Sequence, residues 1–517
     1  MARFKHTDKS QGLFLEVNLR EQLLPDTFEW TIDYLINKID ISIFEQNYNN
    51  DEKGAAAYSP GVLLKLILYC YSRGIITSRK IEKACRDNII VKALAEDCEP
   101  DHATIAGFIS ANSKAVQDLF ARVLLQCGEL KLITGEMFAI DGCKLPSNAS
   151  KEWSGTLADL TKKRDKLEKY ISRLLLKHKE TDKDENAKNK LEKYRNTMGD
   201  DKERRKRSVE GLENKLEKLN KYLQAAKPKT GVSGAEIQSN VTDNESAIIK
   251  SPHGYIQGYN GITIADSGNQ VIICAEAVGS GAESGAFPKM LDGLEKNMKT
   301  LTKKEKPLKK ALLQGDTNYF TEDNLQEAAK RGIDVLIPDP QFRQRDPYFT
   351  EKKDGKVKKK HNKTYSAEDF LYNGKTDSFV CPAGKTLEYK CDAVLRNNTG
   401  RQYRAKPSDC ANCPLIGNCI KRRASGKPAR ALYIVYQKYD KNLSEGMRCK
   451  IDEPVNRELY SRRMQIIEPV FSHITHCKGM NRFTLRTREK VNIQWLLFCI
   501  VHNMWKCMKP LGAIYGV

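Results

Sequence analysis

At 517 residues the chain is too long for one compact core, and domains of about 100–200 residues imply about three units. Lysine and arginine number 87 against 66 aspartates and glutamates, and the resulting charge of +21 favours a polyanionic partner, nucleic acid first, over an acidic one. The opening "MARFKHTDKSQGLFLEVNLREQ" has no signal-peptide core, and no stretch reaches the ~18–20 apolar residues of a spanning helix, so a cytoplasmic protein is expected, with its 15 cysteines reduced.

The first ~130 residues read as helical. "YSPGVLLKLILYCYSRG" begins with Ser59 and a first-turn proline, Pro60, and stops at Gly74. "TSRKIEKACRDNIIVKALA" and "DHATIAGFISANSKAVQDLFARVLLQCGEL" follow, with Thr77 and Asp101 or Thr104 as caps. The bundle suits a DNA-reading helix-turn-helix and an ordinary helical bundle equally. "EMFAID" is a strand ending in Asp141. The segment 157–223 then turns rich in Lys and Glu, with Leu160, Leu167 and Leu174 in one heptad row and Val209, Leu212, Leu216, Leu219 and Leu223 in another, which predicts a helical hairpin of coiled-coil type.

"GYIQGYNGITIAD" and "NQVIICAEAVG" read as a β-hairpin broken at 266–269. A helix, a strand "KALLQGD" ending in Asp316, a capped helix ending on Gly332 and a strand "DVLIP" complete a mixed α/β pattern. "KVNIQWLLFCIVHNMWKCM" is an apolar helix that must be buried. Asp141 and Asp316, each at a strand end, and Glu468 beside the buried stripe of a helix, form a set of acids able to hold divalent cations for phosphodiester chemistry.

The order and spacing of "PDHATIAGF", "AIDGCKLPSNAS", "NVTDNESAIIKSPHGYIQGYNGITIAD", "LLQGDTNYFTEDNL", "YSRRMQIIEPVFSHITHCKGMNRFTLR" and "NIQWLLFCIVHNMWK" resemble the DDE transposases of bacterial insertion sequences, in the branch with a tyrosine-arginine-glutamate signature. The resemblance implies an RNase H-like core in which Asp141, Asp316 and Glu468 clamp two Mg²⁺ or Mn²⁺ ions about 3.5–4 Å apart. Tyr460 and Arg463 match the signature, and Arg463 is expected to clamp a DNA phosphate. Where such chains commonly carry a lysine two turns after the glutamate this one has Thr475, and Lys478 lies displaced. Thr317 and Asn318 stand where small residues commonly follow the second aspartate.

The implied organisation is a helical DNA-binding and assembly domain, 1–130; a core in parts 131–156 and 226–340; the helical hairpin, 157–225; a basic, cysteine-rich insertion, 341–440; and core helices carrying the third acid, 441–517. Partners would be double-stranded transposon ends and target DNA, with a homodimer on paired ends and nucleoid association when bound. A domesticated nuclease and an inactive DNA-binding repressor are the rival readings. In the insertion, Cys410, Cys413 and Cys419 suit a closed structural zinc site, with Cys381 or Cys391 as the fourth thiolate. Lys358, Lys359 and Lys360, in "KVKKKHNK", are expected on the DNA backbone. His473, His476 and Cys477 share a helical face, but zinc has its better home among the cysteines.

Overall fold

The computed structural model describes residues 18–46, 48, 56–188, 195–231, 234–251, 254–347, 365–374, 376–395, 398–420, 429–435 and 442–515. The basic run with Lys358, Lys359 and Lys360 lies outside them. Two units divide the chain: Met1–Ala225, Gln238–Pro338 and Glu453–Val517 form the first, and Ala226–Ile237 with Asp339–Asp452 the second.

The first unit opens with helices α1 (Phe28–Lys38), α2 (Pro60–Ser72), α3 (Ser78–Asp87), α4 (His102–Ala111) and α5 (Ser113–Glu129). Every residue of α2 is buried, including Lys65, whose ammonium reaches Asp33 at 2.7 Å. Ser59 and Thr77 stand at N-cap positions without a side-chain bond to the helix, whereas the Asp101 carboxylate accepts the Thr104 N–H at 2.8 Å.

A six-stranded mixed sheet follows, built from β1 (Met137–Pro146), β2 (Ala247–Ser251), β3 (Gly254–Asp266), β4 (Ile272–Val278), β5 (Leu312–Gln314) and β6 (Asp334–Leu336). The order is β6-β5-β1-β3-β2, with β4 also on β3. β1, β5 and β6 run parallel; β3 is antiparallel to β1, β2 and β4. β1 continues past Asp141 to Pro146 because β3 pairs with it as far as Pro146↔Gly258, so Asp141 sits within a strand rather than at its tip. Successive residues 257–266 of β3 are all buried, and since a strand alternates its side chains, both faces of the sheet are covered.

Between β1 and β2 the chain forms α6 (Leu157–Lys188) and α7 (Arg195–Ala225), which pack together and bury Leu160, Ile171, Val209 and Leu219. Their base is pinched by a short strand pair, Ser154↔Asn240 and Gly155↔Ser239, fixed by the Asn240 side chain on the Ser150 carbonyl at 2.9 Å. Helices α8 (Phe287–Thr302) and α9 (Glu322–Arg331) link β4, β5 and β6, and α10 (Pro454–Ser461), α11 (Arg463–Ser472) and α12 (Arg488–Tyr515) close the unit. α12 packs on α1, α2, α5 and β4. Asn503 on it bonds both backbone groups of Ile272, at 2.8 and 2.9 Å, and the Trp495 indole lies against Gly261, donating to the Ile262 carbonyl at 3.3 Å. Among the described residues no helix is long and apolar enough to cross a membrane.

The second unit holds a five-stranded antiparallel sheet, β7 (Leu371–Asn373), β8 (Ser378–Val380), β9 (Thr386–Leu395), β10 (Asn398–Ala405) and β11 (Ala431–Val435), in that order. Phe370, Phe379, Leu387, Tyr403, Leu432 and Cys410 form its core.

A Cβ on residue 261 would stand 2.7 Å from the Trp495 ring, and a planar ring in a packed core cannot yield that space cheaply. Gly261→Ala is therefore expected to destabilise the first unit by about 1–3 kcal/mol, measured as a lowered urea midpoint.

Candidate active site

The parallel register fixes the two aspartates. β1 and β5 pair up to Ala139↔Gln314, and Asp141 and Asp316 each lie two residues beyond that pair, at the same end of the sheet. The third acid in this place is Glu283, in the turn between β4 and α8. Ligand oxygens of Asp141, Glu283 and Asp316 lie within 4.8 Å of one another, and among the described residues no other three metal-capable side chains do so.

Each carboxylate has defined partners. Asp141 accepts from its neighbour's Gly142 N–H at 2.8 Å and from Arg463 Nη1 at 3.0 Å. Asp316 caps a short turn, accepting the Asn318 backbone N–H at 2.9 Å and the Asn318 side-chain amide at 2.8 Å, which is what the polar residue after this aspartate does. Glu283 accepts from Asn260 Nδ2 at 2.9 Å and lies 3.5 Å from Lys144 Nζ. Burial, then the nearby Asp141, raises the Asp316 carboxyl above the usual carboxylate range. Burial likewise raises Glu283, against the Asn260 hydrogen bond that favours its charged form. Burial also pushes the Cys143 thiol up to about 12, with help from Asp141, Glu468 and Glu283, so it stays protonated beside the acids.

The set fits a hard divalent cation: three carboxylates supply oxygen ligands, and buried Glu283 Oε2 has no partner within the protein.

Glu468 stands outside the 4.8 Å group, exposed on α11, with its charge reaching Cys143 on β1. Pro469 lies inside α11 without starting a new helix, and a π-helical turn, His473–Cys477, follows. Arg463, 8% exposed at the start of α11, is paired to Asp141 within the site, and the Tyr460 ring centroid lies 6.0 Å from its guanidinium carbon. The Gln314 side chain ties β5 to the Leu459 carbonyl at 2.8 Å, holding α10 beside the strand. Lys478, expected on DNA, is 5% exposed, its ammonium 3.5 Å from the centre of the Trp505 ring and 5.4 Å from that of Phe28. Burial brings it down to about 8. Thr475 bonds back to the Phe471 carbonyl.

His473 is a packing residue. Its Nδ1 lies 2.9 Å from His502 Nδ1, and His502 Nε2 lies 2.9 Å from the Gln270 carbonyl. Burial lowers both rings and keeps them neutral near pH 7; a carbonyl only accepts, so neutral His502 donates from Nε2 and accepts from His473 at Nδ1.

The cysteines of the second unit gather by themselves. Cys419 lies within electrostatic reach of Cys410, Cys381 and Cys413, and Cys381 Sγ accepts the Lys385 N–H at 3.3 Å. Cys391 turns instead to Gln402, 3.7 Å away. No three of these sulfurs meet within 4.8 Å, wider than the about 3.8 Å between thiolates on a tetrahedral ion with bonds of about 2.3 Å.

Sequence reasoning missed Glu283 and gave Asn260 no definite role. The available signal was an acid among small residues, "GSGAESGAF", between a strand and a helix.

Residues 17–111 match the family model of a transposase domain (DUF772), and residues 380–508 that of the transposase DDE domain. The second match spans Tyr460, Arg463, Glu468 and the zinc-type cysteines; Asp141, Glu283 and Asp316 lie before it. No curated protein matches the chain. Such domains define a nuclease and transferase whose substrate is DNA. The two matches, on separate segments of the chain, support a DDE transposase of insertion sequences.

Burial lowers the His473 ring to about 4 and the His502 ring to about 3. The unfolded chain then binds protons that the folded one refuses, so stability present above pH ~6.5 is lost as the pH falls towards 4. The slope is at most about 1.4 kcal/mol per pH unit per ring. Thermal melts across this range should show it, and His502→Asn should flatten it.

Proposed function

We propose that the chain binds the terminal inverted repeats of its element, cuts the phosphodiester at each end and joins the freed ends to target DNA. The convergence of Asp141 and Asp316 at one end of a parallel strand pair carries this reading. The six-stranded sheet with its flanking helices would be the RNase H-like core, and the amino-terminal helices the DNA-binding and assembly domain.

Asp141 and Asp316 would hold Mg²⁺ or Mn²⁺, joined by Glu468 as the resemblance implies. When bound, the cations supply Lewis acidity that activates an attacking water or DNA 3′-hydroxyl and stabilises the leaving oxygen. Arg463 holds Asp141 in place and offsets its charge, so the aspartate presents a fixed oxygen to the site. Lys144, 28% exposed at the side chain, is the second cation at the rim and suits a DNA phosphate. Tyr460, half-buried beside Arg463, would flank the site from the α10 side. Pairing two ends calls for a homodimer on DNA.

In the second unit Cys381, Cys410, Cys413 and Cys419 would take a structural zinc. The donor chemistry fits, and the backbone N–H on Cys381 stabilises a thiolate. The sulfurs would draw together on binding.

Asp316→Asn should abolish Mg²⁺-dependent cleavage of an end-containing duplex by at least about a thousandfold without loss of duplex binding in a gel shift. Residual cleavage near the wild-type rate would refute the assignment. Joining of a pre-cut end with a free 3′-hydroxyl separates a transposase from a plain nuclease, and binding without either reaction would mark an inactive relative. Metal analysis should find one zinc per chain, lost in Cys410→Ser with a lowered melting temperature.

A further inference from the structure

Glu283 is 2% exposed, and a carboxylate is expensive to bury without full pairing. One of its oxygens, Oε1, meets Asn260 and Lys144, but Oε2 has no partner. Nor is it alone in this. The fully buried Tyr319 hydroxyl, within electrostatic reach of Glu283, Asp141 and Asp316, is also unpartnered, as is the side-chain oxygen of Asn260, Oδ1. Three orphaned polar atoms around one spot are what a missing ligand leaves behind.

The surrounding chain keeps this arrangement in place. Asn260 lies opposite Lys144 across β1 and β3 and opposite Val278 across β3 and β4, so one residue is tied to the strand carrying Asp141 and to the strand leading into Glu283. Gly142 leaves room for it: a Cβ there would stand 2.6 Å from Asn260 Oδ1.

We propose that Glu283 is a metal-holding carboxylate, closing with Asp141 and Asp316 an oxygen site for one divalent cation, while Asn260 and Lys144 fix its orientation. This rests on the reading of Asp141 and Asp316 as the metal site. Lys144 and Asn260 occupy one oxygen and leave the other for the cation.

Calorimetric titration of the full chain with Mn²⁺, without DNA, tests it. Glu283→Gln, which keeps the shape and the Asn260 bond, should weaken Mn²⁺ binding at least tenfold while its metal-free melting curve matches the wild type. Binding within twofold of wild type overturns the proposal. Asp316→Asn separates the two levels: if it weakens binding and Glu283→Gln does not, only the role of Glu283 falls, and if neither does, the metal-site reading falls with it. A second measurement needs no variant. Fe²⁺ with ascorbate cuts the backbone beside bound iron, and the unmutated chain should be cut near 283 as well as 141 and 316. Cuts at 141 and 316 without one near 283 overturn the proposal.

Discussion

A tryptophan lying on a strand position that has no side chain is the contact on which the first unit turns. Trp495 sits on Gly261, and about two turns of α12 further on Asn503 grips the backbone of Ile272 from both sides. The same helix packs on α1, α2 and α5, so the amino-terminal bundle and the sheet share one buried element. Because α12 fixes β3 and β4 together, it also fixes what those strands carry. β3 sets the course of β1 past Asp141, and β4 delivers the turn with Glu283.

At the site itself, repulsion works against assembly. Three carboxylates share a few ångströms with two cations, Arg463 and Lys144, and each cation is committed to a different acid. Burial, and after it repulsion from the neighbouring carboxylates, is why Asp316 and Glu283 both resist ionisation. The fold holds the acids together by backbone register, not by their mutual attraction, and that is the arrangement a divalent cation can exploit.

How much of this was legible in the sequence varies with the range of the interaction. The hairpin of β3 and β4, the buried α12 and the positions of Asp141 and Asp316 beside parallel strands follow from local pattern and strand-end logic. The extension of β1 beyond Asp141 does not, because it depends on a partner more than a hundred positions away. Glu283 offered only the weak signal of an acid among small residues, since its neighbours are made by the β3 and β4 register and by the absence of a side chain at Gly142. Lys478 looked available because it is charged, yet Phe28 and Trp505, from opposite ends of the chain, enclose it. The choice between Cys381 and Cys391 was open in the spacing; the strand pairing that turns Cys391 towards Gln402 favours Cys381.

The pinch at the foot of α6 and α7 alters how the distance between the first two acids should be counted. Along the chain Asp141 and Asp316 are far apart, but Ser154 and Gly155 meet Asn240 and Ser239, so the long helical pair is a side branch hung from a closed base. The entropy of closing a flexible loop rises only with the logarithm of its length, about 0.6 kcal/mol per doubling, and a stapled branch is removed from even that account. The helical pair can therefore lengthen, shorten or change its surface over many residues while the strands on either side keep their register. For a protein built on distant carboxylates, that base gives freedom to vary one arm without disturbing the place where the chemistry is held.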